Sequence, residues 1–188
     1  MKRFLLIFSI VIISFFEIAY CPQAISKNIQ HRTWIGLKLF PALLGGNMNI
    51  KSKVGSDDKL LIVIIYNYDF EWAHKLSESL HKSVKNINEY PIRTSISNDI
   101  SFEAYRSEKI AGIFISEIMP REQLSKIKNF GIKNSVIIFS PFVNDVEYGV
   151  TAGLHITAKI KLFLNISTLK ESEIELNKLF FKVSKIYE

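Results

Sequence analysis

Continuous apolar runs and helical stripes of apolar residues alternate along the first two thirds of the chain. Residues 60–66 form an unbroken run of branched side chains, which is typical of a strand that is covered on both faces. Residues 69–85 follow, with Ala73, Leu76 and Leu80 at the spacing of one helix face. This stretch therefore predicts a buried strand and then an amphipathic helix.

The middle of the chain continues the alternation. Strands are predicted over residues 92–96, 111–115 and 136–139, and a helix is predicted to begin near Pro120 and to end at Gly131. Before the first strand, residues 35–44 predict one helix in two pieces, because Pro41 interrupts their apolar pattern. The order strand, helix, strand, strand, helix, strand predicts an α/β fold, with a central mixed sheet flanked by helices on both faces.

Two patterns of different period end the chain. Residues 149–158 and 159–166 alternate with a period of two, which predicts an antiparallel strand pair at the edge of the sheet. A helical stripe follows, and it predicts a C-terminal amphipathic helix that packs on the core. The stripe consists of Leu176, Leu179, Phe180, Val183 and Ile186.

The N-terminus has the pattern of a secretory signal. Lys2 and Arg3 precede an apolar run over residues 4–16, which is shorter than the roughly 20 residues of a membrane span. With cleavage predicted after Ser26, residues 1–26 form a signal peptide and residues 27–188 form a single periplasmic α/β domain. Cys21 is the only cysteine and lies in the signal peptide, so the mature protein is expected to contain no disulfide.

Composition narrows the classes of function. The 188-residue chain is 48% hydrophobic and carries a formal net charge of +6, with lysines dispersed along the sequence. No groove-reading motif accompanies this charge, so a nucleic-acid partner is not predicted.

Two clusters contain residue types that catalytic or metal chemistry uses. His74, Glu78 and His81 share one helix face, but the sequence offers no fourth ligand, so no metal site is predicted. Asp145 and Glu147 would point the same way on a strand, as an acid–base pair requires. No nucleophile or metal motif accompanies them, and the sequence therefore predicts neither catalytic residues nor a cofactor, and a protein that is not an enzyme.

The segment after the 136–139 strand is the predicted partner-binding site. It carries Phe142, Asp145, Glu147 and Tyr148, which places aromatic rings beside acids on a loop. Such rings supply buried area in an interface, and the acids supply orientation. The alternative is that Phe142 packs under the sheet while the acids cap turns.

The last 40 residues carry a family resemblance. They read GVTAGLHITAKIKLFLNISTLKESEIELNKLFFKVSKIYE, and they resemble the C-terminal signature of the YfiR-like family of periplasmic proteins. That signature is a glycine-flanked strand, a second strand, a short helix and an amphipathic tail. In this chain the four parts are residues 149–158, 159–166, 167–171 and 176–187.

The resemblance implies regulation by contact. The best understood proteins of this family bind the periplasmic part of an inner-membrane diguanylate cyclase and hold that enzyme inactive. The expected partner is therefore the periplasmic part of an inner-membrane signalling protein, either a diguanylate cyclase or a sensor kinase. Some members are dimers tuned by cysteines. A homodimer stays open for this chain, but with Cys21 removed it has no thiol for such tuning.

A second class of function is a secreted small-ligand receptor or enzyme of the open α/β type. Ligands in such folds bind at the carboxyl ends of the strands. Asn67, Ser116 and Asp145 would have to converge on one cleft there. The sequence leaves the ligand unknown.

Overall fold

The computed structural model describes residues 27–188, and the predicted signal peptide over residues 1–26 lies outside the described residues. Within this part, eight strands form one mixed sheet in the order β2-β3-β1-β4-β5-β6-β7-β8. The strands are β1 (Leu60–Ile65), β2 (Asn86–Ile87), β3 (Tyr90–Ser97), β4 (Ile110–Ile115), β5 (Ile137–Ser140), β6 (Ala152–Ile156), β7 (Ile160–Asn165) and β8 (Lys185–Tyr187). The helices are α1 (Lys27–Gly45), α2 (Phe70–Ser83), α3 (Arg121–Lys133), α4 (Ile166–Glu171) and α5 (Lys178–Val183).

The centre of the sheet is parallel. β1 pairs with β3 on one side and with β4 on the other, and β5 and β6 extend the parallel run. Every residue of β1 and β4 is buried. Such uniform burial requires cover on both faces of the sheet, so the predicted α/β fold class is confirmed.

Helices cover the two faces. On one face, Phe40 of α1 packs against Phe114 and Phe139, with ring centroids 5.7 and 5.5 Å apart. Ile138 points to the opposite face, because neighbouring strand residues alternate, and it lies directly against Gly131 of α3. α1 is one continuous helix that contains Pro41, rather than the two pieces predicted.

The C-terminal part differs from its prediction in two ways. β6 and β7 form the expected antiparallel pair, but β8 pairs parallel with β7 and takes the edge of the sheet. The prediction that the terminal stripe packs on the core is confirmed for Leu176, which is buried, but it is wrong for α5, which contains no buried residue. Leu179 remains 61% exposed. Within residues 27–188, none of the helices combines the length and the apolar character needed to cross a membrane.

Candidate functional site

The strand order creates a switch point at the carboxyl ends of β1 and β4. β3 and β4 flank β1 on opposite sides, so the connections that leave β1 and β4 diverge. Open α/β sheets bind their ligands at such a point. Residues 66–69 follow β1 and residues 116–120 follow β4, and these two segments form the floor of the candidate site.

The carboxylate of Glu117 occupies the switch point. It accepts hydrogen bonds from three successive backbone N–H groups, those of Asn67 (3.3 Å), Tyr68 (3.0 Å) and Asp69 (2.6 Å). Successive N–H groups ahead of a helix are a common anion-binding arrangement. In this protein the anion is the chain's own buried side chain.

Further hydrogen bonds hold the two segments together. The indole N–H of Trp72 donates to the carbonyl of Ser116 (3.2 Å), and the Ser116 hydroxyl donates to the carbonyl of Ile65 (2.9 Å). Asp69 caps α2 by accepting from the Trp72 N–H (2.8 Å). Ser116 is thus a structural part of the wall and its hydroxyl is engaged.

Large apolar side chains surround this closed polar floor. Tyr68 is 86% exposed, Ile118 60% and Val143 66%, although each follows the end of a buried strand. Together with Phe70 and Tyr148, which are also exposed, we call them the carboxyl-edge surface. Exposed apolar groups at one edge are a feature of interaction sites.

Tyr148 is held in place by a cation. The Arg121 guanidinium lies over its ring, 4.2 Å from the centroid, and donates a hydrogen bond to its hydroxyl. Arg121 is the first residue of α3. The contact therefore ties the turn after β5 to the helix after β4 and orients the Tyr148 ring at the surface.

The predicted partner-binding residues divide between the interior and the surface. Phe142 is 5% exposed, so the expectation of an exposed aromatic contact is wrong for this residue. Its N–H donates to the Ser140 hydroxyl (3.2 Å), while Arg32 donates to the Pro141 carbonyl (3.0 Å). These bonds draw the loop inward and turn the ring into the core.

Asp145 is also buried and accepts a hydrogen bond from the Ser140 hydroxyl. Burial raises the pKa of Asp145, and the bond from Ser140 partly opposes this. Glu147 lies in the same turn but is exposed, so the acid–base pairing considered for these two carboxylates is not formed. Contact with a partner through Glu147 and Tyr148 stays a prediction.

The structure also places the other candidates. Asn67 and Ser116 lie at the same edge as expected, but Asp145 faces Ser140. His74 and His81 lie on the exposed face of α2. In the part of the chain that the structure describes, no three His, Cys, Asp or Glu side chains form a group that would hold a metal ion.

Sequence reasoning did not single out Phe70, Ile118, Val143 or Arg121 as site residues. Ile118 and Val143 are apolar residues just beyond strand ends, and that position is the signal that would have found them. The role of Arg121 had no such signal, because its contact with Tyr148 spans 27 positions.

Comparisons with known proteins relate this chain to others by fold. No protein-family model matches the sequence, and no curated protein matches it. A solved structure described as a substrate binding protein with adhesive properties from Clostridium difficile, in its ligand-free open form, aligns with a TM-score of 0.51 at 11% identity. The alignment covers 81% of this chain and 58% of the other chain.

Two further solved structures align over similar lengths. One is a conserved domain protein from Vibrio cholerae, with a TM-score of 0.50, 11% identity, and coverage of 74% of this chain and 58% of that one. The other is described as the ABC domain in complex with L-Trp from Streptococcus pneumonia, with a TM-score of 0.49, 10% identity, and coverage of 77% and 62%. This chain spans about three fifths of the length of the structures it resembles. At these identities the likeness shows the α/β fold alone.

Proposed function

We propose that this protein is a binding protein that acts by contact with a partner protein through the carboxyl-edge surface. One observation carries the proposal. The backbone donors of the switch point are already bonded to Glu117, while Tyr68, Ile118 and Val143 are left exposed around them.

The chemistry of this edge suits a protein better than a polar small molecule. A polar ligand needs free donors in a recess, and the three N–H groups of residues 67–69 have a partner. A protein interface uses aromatic and aliphatic side chains with a polar rim. The carboxyl-edge surface has such side chains, and Arg121 and Glu147 supply charge beside them.

The partner follows from the resemblance to the YfiR-like family. We infer that it is the periplasmic part of an inner-membrane signalling protein, a diguanylate cyclase or a sensor kinase, and that contact represses it. This assignment places the mature protein in the periplasm. The fold similarity to a substrate binding protein supports a role in binding.

The experiment compares two side chains of equal exposure. Ile118 (60%) lies on the carboxyl-edge surface and Leu179 (61%) lies on α5, far along the sheet. Binding of the purified periplasmic part of the signalling protein is measured for Ile118→Asp and Leu179→Asp. We expect Ile118→Asp to weaken binding by about tenfold or more and Leu179→Asp to leave it unchanged.

Melting temperatures close to that of the wild type confirm that both variants fold. Equal binding by the two variants, or loss only in Leu179→Asp, overturns the assignment of the carboxyl edge. Absence of binding by the wild-type protein overturns the proposed partner instead.

The alternative of a small-ligand receptor rests on the switch point itself. The strand order leaves Asn67 and Ser116 where open α/β sheets bind ligands. A receptor for a small carboxylate would have to displace Glu117 from the three N–H groups. A thermal-shift titration with acetate and larger carboxylates tests this: a saturable rise in melting temperature favours the receptor, and a flat response favours the contact protein.

A further inference from the structure

A pocket of about 420 Å³ lies at the amino ends of β4 and β5, at the edge opposite to the carboxyl-edge surface. Three segments enclose it. They are the single helical turn Ile50–Lys53, the turn Glu103–Tyr105 and the end of α3. The proposed contact function makes no use of this pocket.

The inner wall of the pocket is apolar and rigid. Phe102 is buried and stacks on Phe130 of α3, with ring centroids 4.0 Å apart and planes inclined by 19°. Ile110 and Val136, both buried, complete the wall. An uncharged part of a ligand would therefore meet fixed hydrocarbon.

The rim is basic. Lys53, Lys109 and Lys133 all line the pocket, together with Arg106. Two acids also line it, but each is engaged: Glu103 pairs with Arg106, and Glu108 pairs with Arg93. Among residues 27–188, no carboxylate forms an ion pair with any of the three lysines.

Lys53 and Lys109 carry like charges and line the same pocket. Burial lowers the pKa of Lys53, and the charge of Lys109 lowers it further. Two ammonium groups that share a site and form no ion pair with a carboxylate favour an anion between them, because the anion offsets both the repulsion and the loss of solvent.

Helix capping explains only part of this cluster. The Lys53 ammonium donates to the carbonyl of Asn134 at the end of α3 (2.7 Å), and Lys133 lies in the last turn of that helix. Both positions suit the negative end of a helix dipole. Lys109 precedes β4, so it does not cap a helix. An ammonium group has three N–H donors, and the Lys53 ammonium uses one of them on Asn134.

We propose that this pocket binds the phosphate group of a small molecule between Lys53 and Lys109, with Lys133 on the rim. Lysine side chains bind phosphate as point charges, and the several oxygens of one phosphate group can each meet a different ammonium group. The same chemistry is presented by a soluble phosphate ester and by a lipid headgroup, and the two sources are separated by experiment.

The first arm of the experiment is isothermal titration calorimetry of the purified protein. It is run at low ionic strength, because salt screens the interaction between exposed charges. Glycerol 3-phosphate is the probe and glycerol is its neutral control. Lys109→Gln is compared with Lys161→Gln, which removes the same charge from an exposed position on β7. We expect saturable binding of glycerol 3-phosphate by the wild type and none of glycerol.

Loss of one charged contact is expected to weaken that binding by about tenfold in Lys109→Gln, while Lys161→Gln behaves as the wild type.

In the second arm, the same proteins are sedimented with vesicles of phosphatidylglycerol or of phosphatidylcholine. Binding in the first arm alone identifies a soluble ester, and Lys109-dependent binding to phosphatidylglycerol vesicles identifies a headgroup. Equal weakening by both variants in both arms, or no binding in either, overturns the proposal.

Discussion

Helices α2 and α5 both place apolar residues at helical spacing, yet only α2 buries them. α2 has 14 residues and buries Trp72, Ala73, Leu76 and Leu80, whereas α5 has six residues and buries none. A six-residue helix has fewer than two turns, so it presents too small a stripe to cover a sheet. Apolar spacing shows which side chains share a face, and the surface available to that face decides whether they are buried.

The largest expected effect tests the buried stripe. Leu76 of α2 is fully buried, so Leu76→Ala removes apolar contacts and leaves a cavity. We expect it to lower the free energy of unfolding by about 2–5 kcal/mol. Urea denaturation followed by circular dichroism measures the change. A loss below about 1 kcal/mol would show that the α2 stripe resembles the α5 stripe after all.

The next largest loss of stability is expected from a change in the polar floor of the candidate site. Glu117→Gln keeps the shape of the side chain but leaves one oxygen to serve three N–H groups. We expect the free energy of unfolding to fall by about 1–3 kcal/mol, since buried donors lose a charged partner. Urea denaturation again provides the measurement. An unchanged value would mean that water replaces the carboxylate and that the switch point is open.

Close packing of α1 on β4 is tested by enlarging a glycine. A Cβ at Gly112 would lie 2.6 Å from Leu44 Cδ2 and 2.7 Å from Phe40 Cζ. We expect Gly112→Ala to cost about 1–3 kcal/mol through overpacking. The double variant with Leu44→Ala is the control, because it should lose less than the sum of the two single variants. Strict additivity would contradict the direct contact.

The buried Asp145 is expected to make stability depend on pH. Its pKa is raised above the ordinary value of 3.8, so the folded protein retains a proton that the unfolded chain has released. Its contribution to the free energy of unfolding therefore falls as pH rises from about 3.8 through the folded-state pKa. We expect Asp145→Asn to lack this fall. Urea midpoints of the two proteins across this range give the difference, and parallel curves would contradict the expectation.

The smallest effect tests the exposed stripe. Leu179 lies on α5 and is largely exposed, so Leu179→Ala should change the free energy of unfolding by less than about 0.5 kcal/mol. The same denaturation experiment, run beside Leu76→Ala, measures it. A loss of several kcal/mol would show that α5 is covered in solution, which would reverse the contrast between the two helices.

Local pattern alone determined the central elements. Continuous branched residues predicted β1, and the 3.6-residue period predicted α2, because each pattern extends over an element long enough to be covered. The predicted strands before α3 and after it appear within one or two residues of their expected bounds. The antiparallel pair β6 and β7 also followed from its two-residue period.

Tertiary structure decided which distant groups these residues contact and which side chains are buried. Glu117 reaches N–H groups about 50 positions away, and no local pattern contains that contact. Phe142 and Tyr148 are both aromatic loop residues. The Phe142 N–H donates to Ser140 and its ring is buried, while Arg121 holds the Tyr148 ring at the surface. A residue's own spacing predicts the element it forms, whereas its exposure depends on partners that only the folded chain brings near.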